Sequence, residues 1–300
     1  MLLEALVSSS ALQLDRFLLR VMNRIFMSSE ALPAEHVIRN RLEQALQFYT
    51  QPEFLADPDL FHVRPTLSHV PVVRALAPLP GGRMIETTFD SGFVPRNPLY
   101  REAYLQYREN QRIHLWQLEH DEPRPTVLYV HGWGGGIPSI ELRMFPLRAL
   151  YEQGYDVAMF TQPFHGIRTP RQARFGGQLF PSPRFERTNE GFAHAIHDLR
   201  VVLEYIRLRG RGPVGVMGAS LGSYVASLLS GLEEDLAFLV LMIPLADLPE
   251  FMWTHGRGTA DLAWAERVGL SKERLQRLYA IHSPLRLEPR MPPERVLILA

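Results

Sequence analysis

A short apolar run that enters a Gly-x-Ser-x-Gly turn is the feature that most constrains this fold. Residues 214–217 (VGVM) predict a strand, residues 221–231 predict a helix, and Gly218-Ala219-Ser220-Leu221-Gly222 joins them. The pentapeptide alone is weakly specific, because glycine and serine are common in turns. The context makes it specific, since this strand–turn–helix junction holds a serine hydroxyl on a strained bend above a sheet. Ser220 is therefore the candidate nucleophile.

Two interpretations of this turn remain open. In the catalytic one, residues 218 and 222 are glycine because the helix and the strand approach too closely for side chains, and Ser220 has strained backbone angles. In the other, the turn is a plain strand-to-helix connection in which Ser220 only caps the helix. The backbone at Ser220 separates the two.

A second glycine-rich turn, His131-Gly132-Trp133-Gly134-Gly135-Gly136, follows the apolar run 126–130 (TVLYV). Backbone N–H groups beside a nucleophile stabilise the negative oxygen of a tetrahedral intermediate, and glycines permit the close approach. We expect the donors to be the amides of Leu221 and Trp133, with Gly134 as the second choice in this turn. A plain flexible turn is the alternative, and the spacing fits neither common phosphate-binding motif.

From about residue 82, short apolar runs alternate with helical segments. We expect strands at residues 83–89, 112–118, 126–130, 156–160, 214–217, 238–243 and 295–299. A long helix is expected at 189–209, and residues 161–187 form a long loop rich in proline, glycine and arginine. This alternation predicts an α/β fold with a mostly parallel, doubly wound sheet.

The chain divides into four segments. Residues 1–80 are expected to form a helical extension, with an amphipathic helix at 2–27 and a second helical stretch at about 34–49. The core follows at 81–246, a helical lid or cap interrupts it at 247–290, and the last strand returns at 291–300. The extension is expected to pack on the main domain or on a partner subunit, with an interfacial membrane helix as the alternative.

Composition and charge exclude several functions. With 32 basic and 32 acidic residues the formal net charge is zero, so the basic excess of a nucleic-acid-binding protein is missing. The absence of cysteine excludes disulfides, thiolate metal sites and a cysteine nucleophile. His194 and His197 share one predicted helix, but no third metal ligand has a recognisable spacing. We expect no metal and no cofactor, and the sequence gives no oligomeric state.

The sequence favours a cytoplasmic location. No apolar run reaches the roughly 18 residues that a membrane span needs. The first residues include a glutamate and lack the basic segment of a secretory signal. Peripheral membrane contact through residues 2–27 is the alternative.

The two glycine-rich turns and the strand order between them resemble the alpha/beta-hydrolase superfamily from about residue 82 to 300. The turn Pro163-Phe164-His165-Gly166 is similar to a His-Gly turn common there, and the stretch PFHGIRTPRQARF resembles a poorly characterised bacterial branch. Because the nucleophile position holds serine rather than aspartate, the resemblance implies hydrolysis of an ester, thioester or amide through an acyl-enzyme. No repeat of propeller-blade length is present, so an esterase ranks above a peptidase, and a thioesterase stays open.

The resemblance also implies a triad in the order serine, acid, histidine. The acid is expected after the strand 295–299 (RVLIL), and the sequence ends at Ala300. We therefore expect the C-terminal part of the fold, with the acid and the histidine, to lie beyond this sequence. Within it, Asp247 is the fallback acid and His282 the fallback base, ahead of His255. A non-catalytic binding or scaffold protein, including a naturally short pseudoenzyme, is the competing hypothesis.

Other side chains have two interpretations each. We expect structural roles for His131 and His165. The arginines of the long loop either bind an anionic substrate group or form a solvated, salt-bridged surface; they are Arg168, Arg171, Arg174, Arg184 and Arg187. Apolar residues of the predicted lid either line an acyl pocket or form its core; they are Phe251, Met252, Trp253 and Trp264.

Overall fold

An eight-stranded sheet forms the centre of the protein, in the order β1-β2-β3-β5-β4-β6-β7-β8. The computed structural model describes residues 34–66, 70–182 and 184–299. The strands are β1 Val72–Leu79, β2 Gly82–Asp90, β3 Arg112–His120, β4 Thr126–Val130, β5 Asp156–Phe160, β6 Val214–Ala219, β7 Leu239–Met242 and β8 Val296–Leu299. Strands β1 to β3 are antiparallel, and β3 is antiparallel to β5. The remaining neighbours pair in parallel, which confirms the predicted mostly parallel sheet.

Helices cover both faces of this sheet. They are α1 Glu35–Tyr49, α2 Pro52–Ala56, α3 Pro58–Phe61, α4 Arg101–Leu105, α5 Pro138–Met144, α6 Leu147–Glu152, α7 Phe185–Leu208, α8 Leu221–Ser230, α9 Leu248–Gly256, α10 Ala260–Arg267 and α11 Lys272–Leu278. Alternate residues of β4 enter different cores, because successive side chains of a strand point to opposite faces. Leu128 and Val130 join the core with α7 and α8, whereas Val127 and Tyr129 join the core with α6.

The N-terminal region differs in part from the prediction. Residues 72–79, which we placed in the helical extension, form strand β1 and pair with β2. Most of the β1 residues are exposed, so the strand lacks the buried apolar alternation that marks a strand in a sequence. The predicted helix at 2–27 lies outside the described residues.

Helix α1 packs on the main domain, as predicted for residues 34–49. It buries one apolar face, made of Ile38, Leu42, Ala45, Leu46 and Tyr49. The Tyr49 hydroxyl donates to Oε1 of Glu190 on α7 at 2.8 Å, and Glu43 forms an ion pair with Arg274 of α11. Helix α1 therefore connects the core to the segment predicted as a lid, which is helical as expected.

Strand β8 forms one outer edge of the described sheet. Leu297, Ile298 and Leu299 are 52%, 59% and 48% exposed. Because neighbouring strand residues point to opposite faces, described residues leave both faces of β8 largely uncovered. Within the described ranges, no helix is long and apolar enough to cross a membrane.

Candidate active site

Ser220 occupies a sharp bend between β6 and α8. Its backbone has φ 51° and ψ −113°, a conformation that is costly for a residue with a side chain. The Ser220 N–H donates to the Met242 carbonyl at 2.9 Å, and its own carbonyl accepts from the Tyr224 N–H at 3.1 Å. The side chain is half-buried, and its hydroxyl makes no hydrogen bond to the described residues. The strained angles expected at Ser220 are present, and the hydroxyl is available to a ligand.

The two glycines around this bend are required by close backbone packing. A Cβ on Gly222 would overlap the Val130 carbonyl oxygen at the end of β4. A Cβ on Gly218 would overlap the Gly222 carbonyl oxygen. The predicted reason for glycine at 218 and 222 is confirmed, because α8 begins in direct backbone contact with β4 and β6.

The glycine-rich turn 132–136 lies beside Ser220. Strands β4 and β6 are parallel neighbours with Val130 opposite Gly218, so both turns leave the same edge of the sheet. A Cβ placed on Gly132 would lie 3.5 Å from the Ser220 Cβ. Leu221 is the first residue of α8, where backbone N–H groups have no acceptor within the helix. The structure therefore places Leu221 and the turn containing Trp133 and Gly134 next to Ser220.

His131 anchors this turn. Its Nε2 accepts the Gln162 backbone N–H at 3.0 Å, so its Nδ1 carries the proton that is donated to the Gly132 carbonyl at 2.7 Å. The Gln162 side-chain amide donates to the His131 carbonyl at 2.6 Å. Burial lowers the pKa of His131, which keeps the ring neutral. These contacts match the structural role expected for His131.

Glu141 supports the same turn from helix α5, and no sequence pattern marked it. Its buried carboxylate accepts the Gly136 N–H at 2.9 Å and the Tyr129 hydroxyl at 2.9 Å. A Cβ on Gly135 would lie 2.6 Å from the Glu141 Oε1. Glu141 therefore fixes the turn from the side of helix α5. A site made of backbone N–H donors needs such support, because the donors must not move during the reaction.

A family model described as the alpha/beta hydrolase family matches residues 127–297. The match covers more than half of the chain and includes both turns. The chain belongs to the alpha/beta hydrolase family. The sequence resemblance is thereby confirmed at the level of the superfamily.

Relatives of this alpha/beta hydrolase include the uncharacterized protein Rv2627c of Mycobacterium tuberculosis. The two are 32% identical over 229 residues, which are 74% of this chain and 55% of the relative. The chain therefore spans about half the length of the curated relatives it matches.

Solved esterases share the fold of this hydrolase at low sequence identity. An acetyl xylan esterase from Paenibacillus sp. R4 is 15% identical with a TM-score of 0.55, covering 86% of this chain and 92% of that one. Acetyl xylan esterase 1 from Thermoanaerobacterium sp. JW/SL YS485 is 13% identical with a TM-score of 0.50, covering 94% and 91%.

Two of the loop arginines in this hydrolase are buried structural groups. Arg168 is fully buried, and its guanidinium contacts the Asp198 carboxylate at 2.6 Å and the Thr161 carbonyl at 3.0 Å. Arg187 is buried as well and donates to the Leu179 carbonyl at 2.7 Å. A substrate-binding role for these two residues is therefore wrong, because neither side chain reaches the surface. The exposed Arg171 is the better representative of a solvated loop residue.

His194 belongs to the network around Arg168. Its Nε2 lies 2.8 Å from the Ser91 hydroxyl and 3.2 Å from the Asp198 carboxylate, and Nδ1 lies 3.1 Å from the Tyr104 hydroxyl. His197 contacts the same carboxylate at 3.2 Å. Across the described ranges, no three histidine, aspartate or glutamate side chains form a group that could hold a metal ion. The network therefore fixes the loop after β5.

Neither fallback triad residue forms a hydrogen bond with Ser220. Asp247 caps helix α9, with its Oδ1 accepting the Glu250 N–H at 2.9 Å. His282 is fully buried, with ring contacts to Phe61 and Phe192, and burial lowers its pKa well below the usual value. A base must reach the nucleophile and accept a proton, and the buried His282 makes no hydrogen bond with Ser220, so we withdraw His282 as the base. Asp247 as the fallback acid stays a prediction, because an acid contacts the base rather than the nucleophile.

The remaining predicted residues lie in the helical segment 247–290. The ring of His255 packs against that of Phe251 within α9, with centroids 4.6 Å apart. Met252, Trp253 and Trp264 are partly buried against the main core. These contacts agree with the core interpretation of the three residues, and the acyl-pocket interpretation stays a prediction.

Proposed function

We propose that this alpha/beta hydrolase is a serine esterase that cleaves a carboxylic ester through an acyl-enzyme on Ser220. The observation that carries the proposal is the strained Ser220 bend, whose Cβ lies against the rigid turn at Gly132. The fold shared with solved acetyl xylan esterases supports the ester class. The bend and the turn together supply what acyl transfer needs, which is a raised hydroxyl and nearby backbone donors.

In the first half of the reaction, Ser220 Oγ attacks the ester carbonyl carbon and loses its proton to a base. The carbonyl oxygen becomes negative and is stabilised by the amides of Leu221 and of Trp133 or Gly134. The N-terminus of α8 adds the positive end of its dipole at this point. The intermediate then expels the alcohol, which takes the proton from the base and leaves an acyl-enzyme.

In the second half, water loses a proton to the base and attacks the acyl carbon. The same amides stabilise the second tetrahedral intermediate. Its collapse releases the carboxylic acid and returns the proton to Ser220 Oγ. No described histidine forms a hydrogen bond with this hydroxyl. We therefore propose that the base and its acid come from residues outside the described ranges, in the family order.

The competing function is a non-catalytic binding protein. It is favoured by the same fact, that no described histidine forms a hydrogen bond with the Ser220 hydroxyl. In that case the bend would bind an acyl compound without cleaving it. The strained backbone of Ser220 favours the catalytic function, because costly backbone conformations concentrate at active sites.

Hydrolysis of p-nitrophenyl acetate by the full-length gene product tests the proposal. Ser220→Ala is expected to lower kcat by at least about 10³-fold, because the nucleophile is removed. Ser227→Ala is the matched control, since its hydroxyl only donates to the Ser223 carbonyl within the same helix. Equal rates for Ser220→Ala and the wild type would overturn the proposal. The rates with a thioester substrate and with an anilide substrate, compared with the ester, distinguish an esterase from a thioesterase and a peptidase.

A further inference from the structure

The side chain of Trp133 connects two segments that flank Ser220. Its indole Nε1–H donates to the Gly177 carbonyl at 2.8 Å. Trp133 belongs to the turn after β4, whereas Gly177 belongs to the loop of residues 161–182 after β5. The hydrogen bond therefore fastens this loop to the turn that lies against Ser220.

The contact is built into the backbone of the loop. Gly177 has φ +88°, and a Cβ there would lie 2.9 Å from the Trp133 Nε1 and 2.7 Å from the His165 Nε2. The Gly177 N–H donates to the Phe164 carbonyl at 2.7 Å, and Phe164 itself has φ 66°. Only glycine fits at 177, because a side chain would push the indole away.

Phe175 extends the same surface. Its ring meets the Trp133 indole edge to face, with centroids 5.8 Å apart and planes at 84°. Both side chains are half-buried, so each keeps part of its apolar surface open. Trp133 directly follows Gly132 in the sequence, and a Cβ placed on Gly132 would lie 3.5 Å from the Ser220 Cβ. Two aromatic rings thus form an apolar surface next to the candidate nucleophile.

We propose that Trp133 is a specificity-determining residue, whose indole holds the loop in place and forms with Phe175 one wall of the pocket for the apolar part of the substrate. The inference rests on the proposed esterase function and goes beyond it, because it uses the side chain rather than the amide of Trp133. Substrates with a longer aliphatic acyl or alcohol group gain from this wall, since each methylene that is buried improves transition-state binding.

Two substitutions distinguish the two roles of the Trp133 side chain, as part of the pocket wall and as the hydrogen-bond donor to Gly177. Trp133→Phe keeps an aromatic ring and removes the N–H donor, whereas Trp133→Ala removes both. The backbone amide remains in each variant. Trp116→Phe is the matched control, because Trp116 lies on β3 against the other core. Circular dichroism establishes that each variant is folded.

The readout is kcat/KM of the full-length protein for p-nitrophenyl acetate, butyrate and octanoate. Trp133→Ala is expected to lower the ratio of octanoate to acetate by about 10-fold or more through KM, with a smaller loss in Trp133→Phe. A proportional loss on all three esters, or an unchanged ratio, would overturn the inference and leave the esterase proposal intact. Absence of Ser220-dependent hydrolysis in the wild type would overturn both.

Discussion

The Arg168 guanidinium lies 2.6 Å from the Asp198 carboxylate, and both side chains are completely excluded from solvent. The same guanidinium donates to the carbonyls of Thr161 and Asn110, at 3.0 and 2.7 Å. Asp198 also accepts from the Ser91 hydroxyl at 2.5 Å. The pair therefore joins helix α7 to the loop that follows β5, and this loop is hydrogen-bonded to the glycine-rich turn 132–136 beside Ser220.

Removing one partner of this pair is expected to destabilise the protein strongly. Arg168→Ala leaves the buried Asp198 carboxylate without its guanidinium partner, so we expect a loss of about 3–5 kcal/mol in the free energy of unfolding. Urea denaturation measures it. Arg171→Ala, an exposed residue of the same loop, is the control and should change stability by less than about 0.5 kcal/mol. Near-native stability of Arg168→Ala with weakened substrate binding would contradict this account and restore an anion-binding role.

Gly222→Ala is expected to prevent α8 from docking. The added methyl group would overlap the Val130 carbonyl oxygen, which is backbone and has no rotamer to adopt. We expect destabilisation of at least about 3 kcal/mol, at or above the upper range for overpacking. Gly256→Ala is the comparison, because its Cβ would be 3.5 Å from its nearest neighbour, Leu262. Similar melting temperatures for the two variants would show that helix α8 does not approach strand β4 this closely.

Stability is expected to fall steeply below pH 6.5. In the described ranges, burial lowers the pKa of the half-buried His114 and of five buried histidines, to about 3 for His62 and His165 and to about 4 for His194, with His131 and His282 also lowered. Unfolded histidines bind protons below about pH 6.5, whereas these five stay neutral when folded. Their contribution is complete above that pH. Each histidine then removes about 1.4 kcal/mol per pH unit as the pH falls towards its folded pKa.

Chemical denaturation at intervals between pH 7.5 and 5 measures this slope. His282→Phe should reduce the slope by about one histidine's share, whatever its effect at pH 7.5. Ser227→Ala, which removes no titratable group, should leave the slope unchanged. A free energy of unfolding that is constant from pH 7 to 5 would mean that the buried histidines are solvated.

Glu141 is expected to act on the reaction without touching the substrate. Glu141→Ala removes the acceptor for the Gly136 N–H and the Tyr129 hydroxyl, so the turn beside Ser220 loses its support. We expect kcat for p-nitrophenyl acetate to fall by about 10²-fold, the loss that follows misplacement of groups in a site. Glu141→Gln keeps one carbonyl oxygen and should recover part of the loss. Unchanged kcat in Glu141→Ala would show that the turn does not need this support.

The sequence predicted the centre of the fold better than its edges. Strands β4 and β5 have the predicted bounds, because each is a run of five buried residues of which four are apolar. Strand β1 was missed, because an exposed edge strand with a proline at residue 78 carries no burial pattern. Helix α7 begins at Phe185, four residues before the predicted start, since the polar residues of its first turns are buried against other loops.

In the candidate site too, features set by a local motif were predictable and features set by distant partners were not. The bend at Ser220 and the turn at 132–136 were predictable, because a local motif in its strand context determines each. Glu141 and Arg168 were not, since their roles depend on partners that only the folded chain brings together. For Arg168 the sequence left an anion-binding role and a salt-bridged role open, and it could not show the buried ion pair because the partner Asp198 is 30 residues away.

Covalent labelling of Ser220 tests the central claim most directly. The full-length protein is treated with a fluorophosphonate, which phosphonylates an activated serine and releases fluoride, and the modified peptide is sequenced by mass spectrometry. The account predicts one adduct, on the peptide that contains Ser220, present in Ser227→Ala and absent in Ser220→Ala. An unlabelled wild type, or equal labelling of Ser220→Ala, would contradict it.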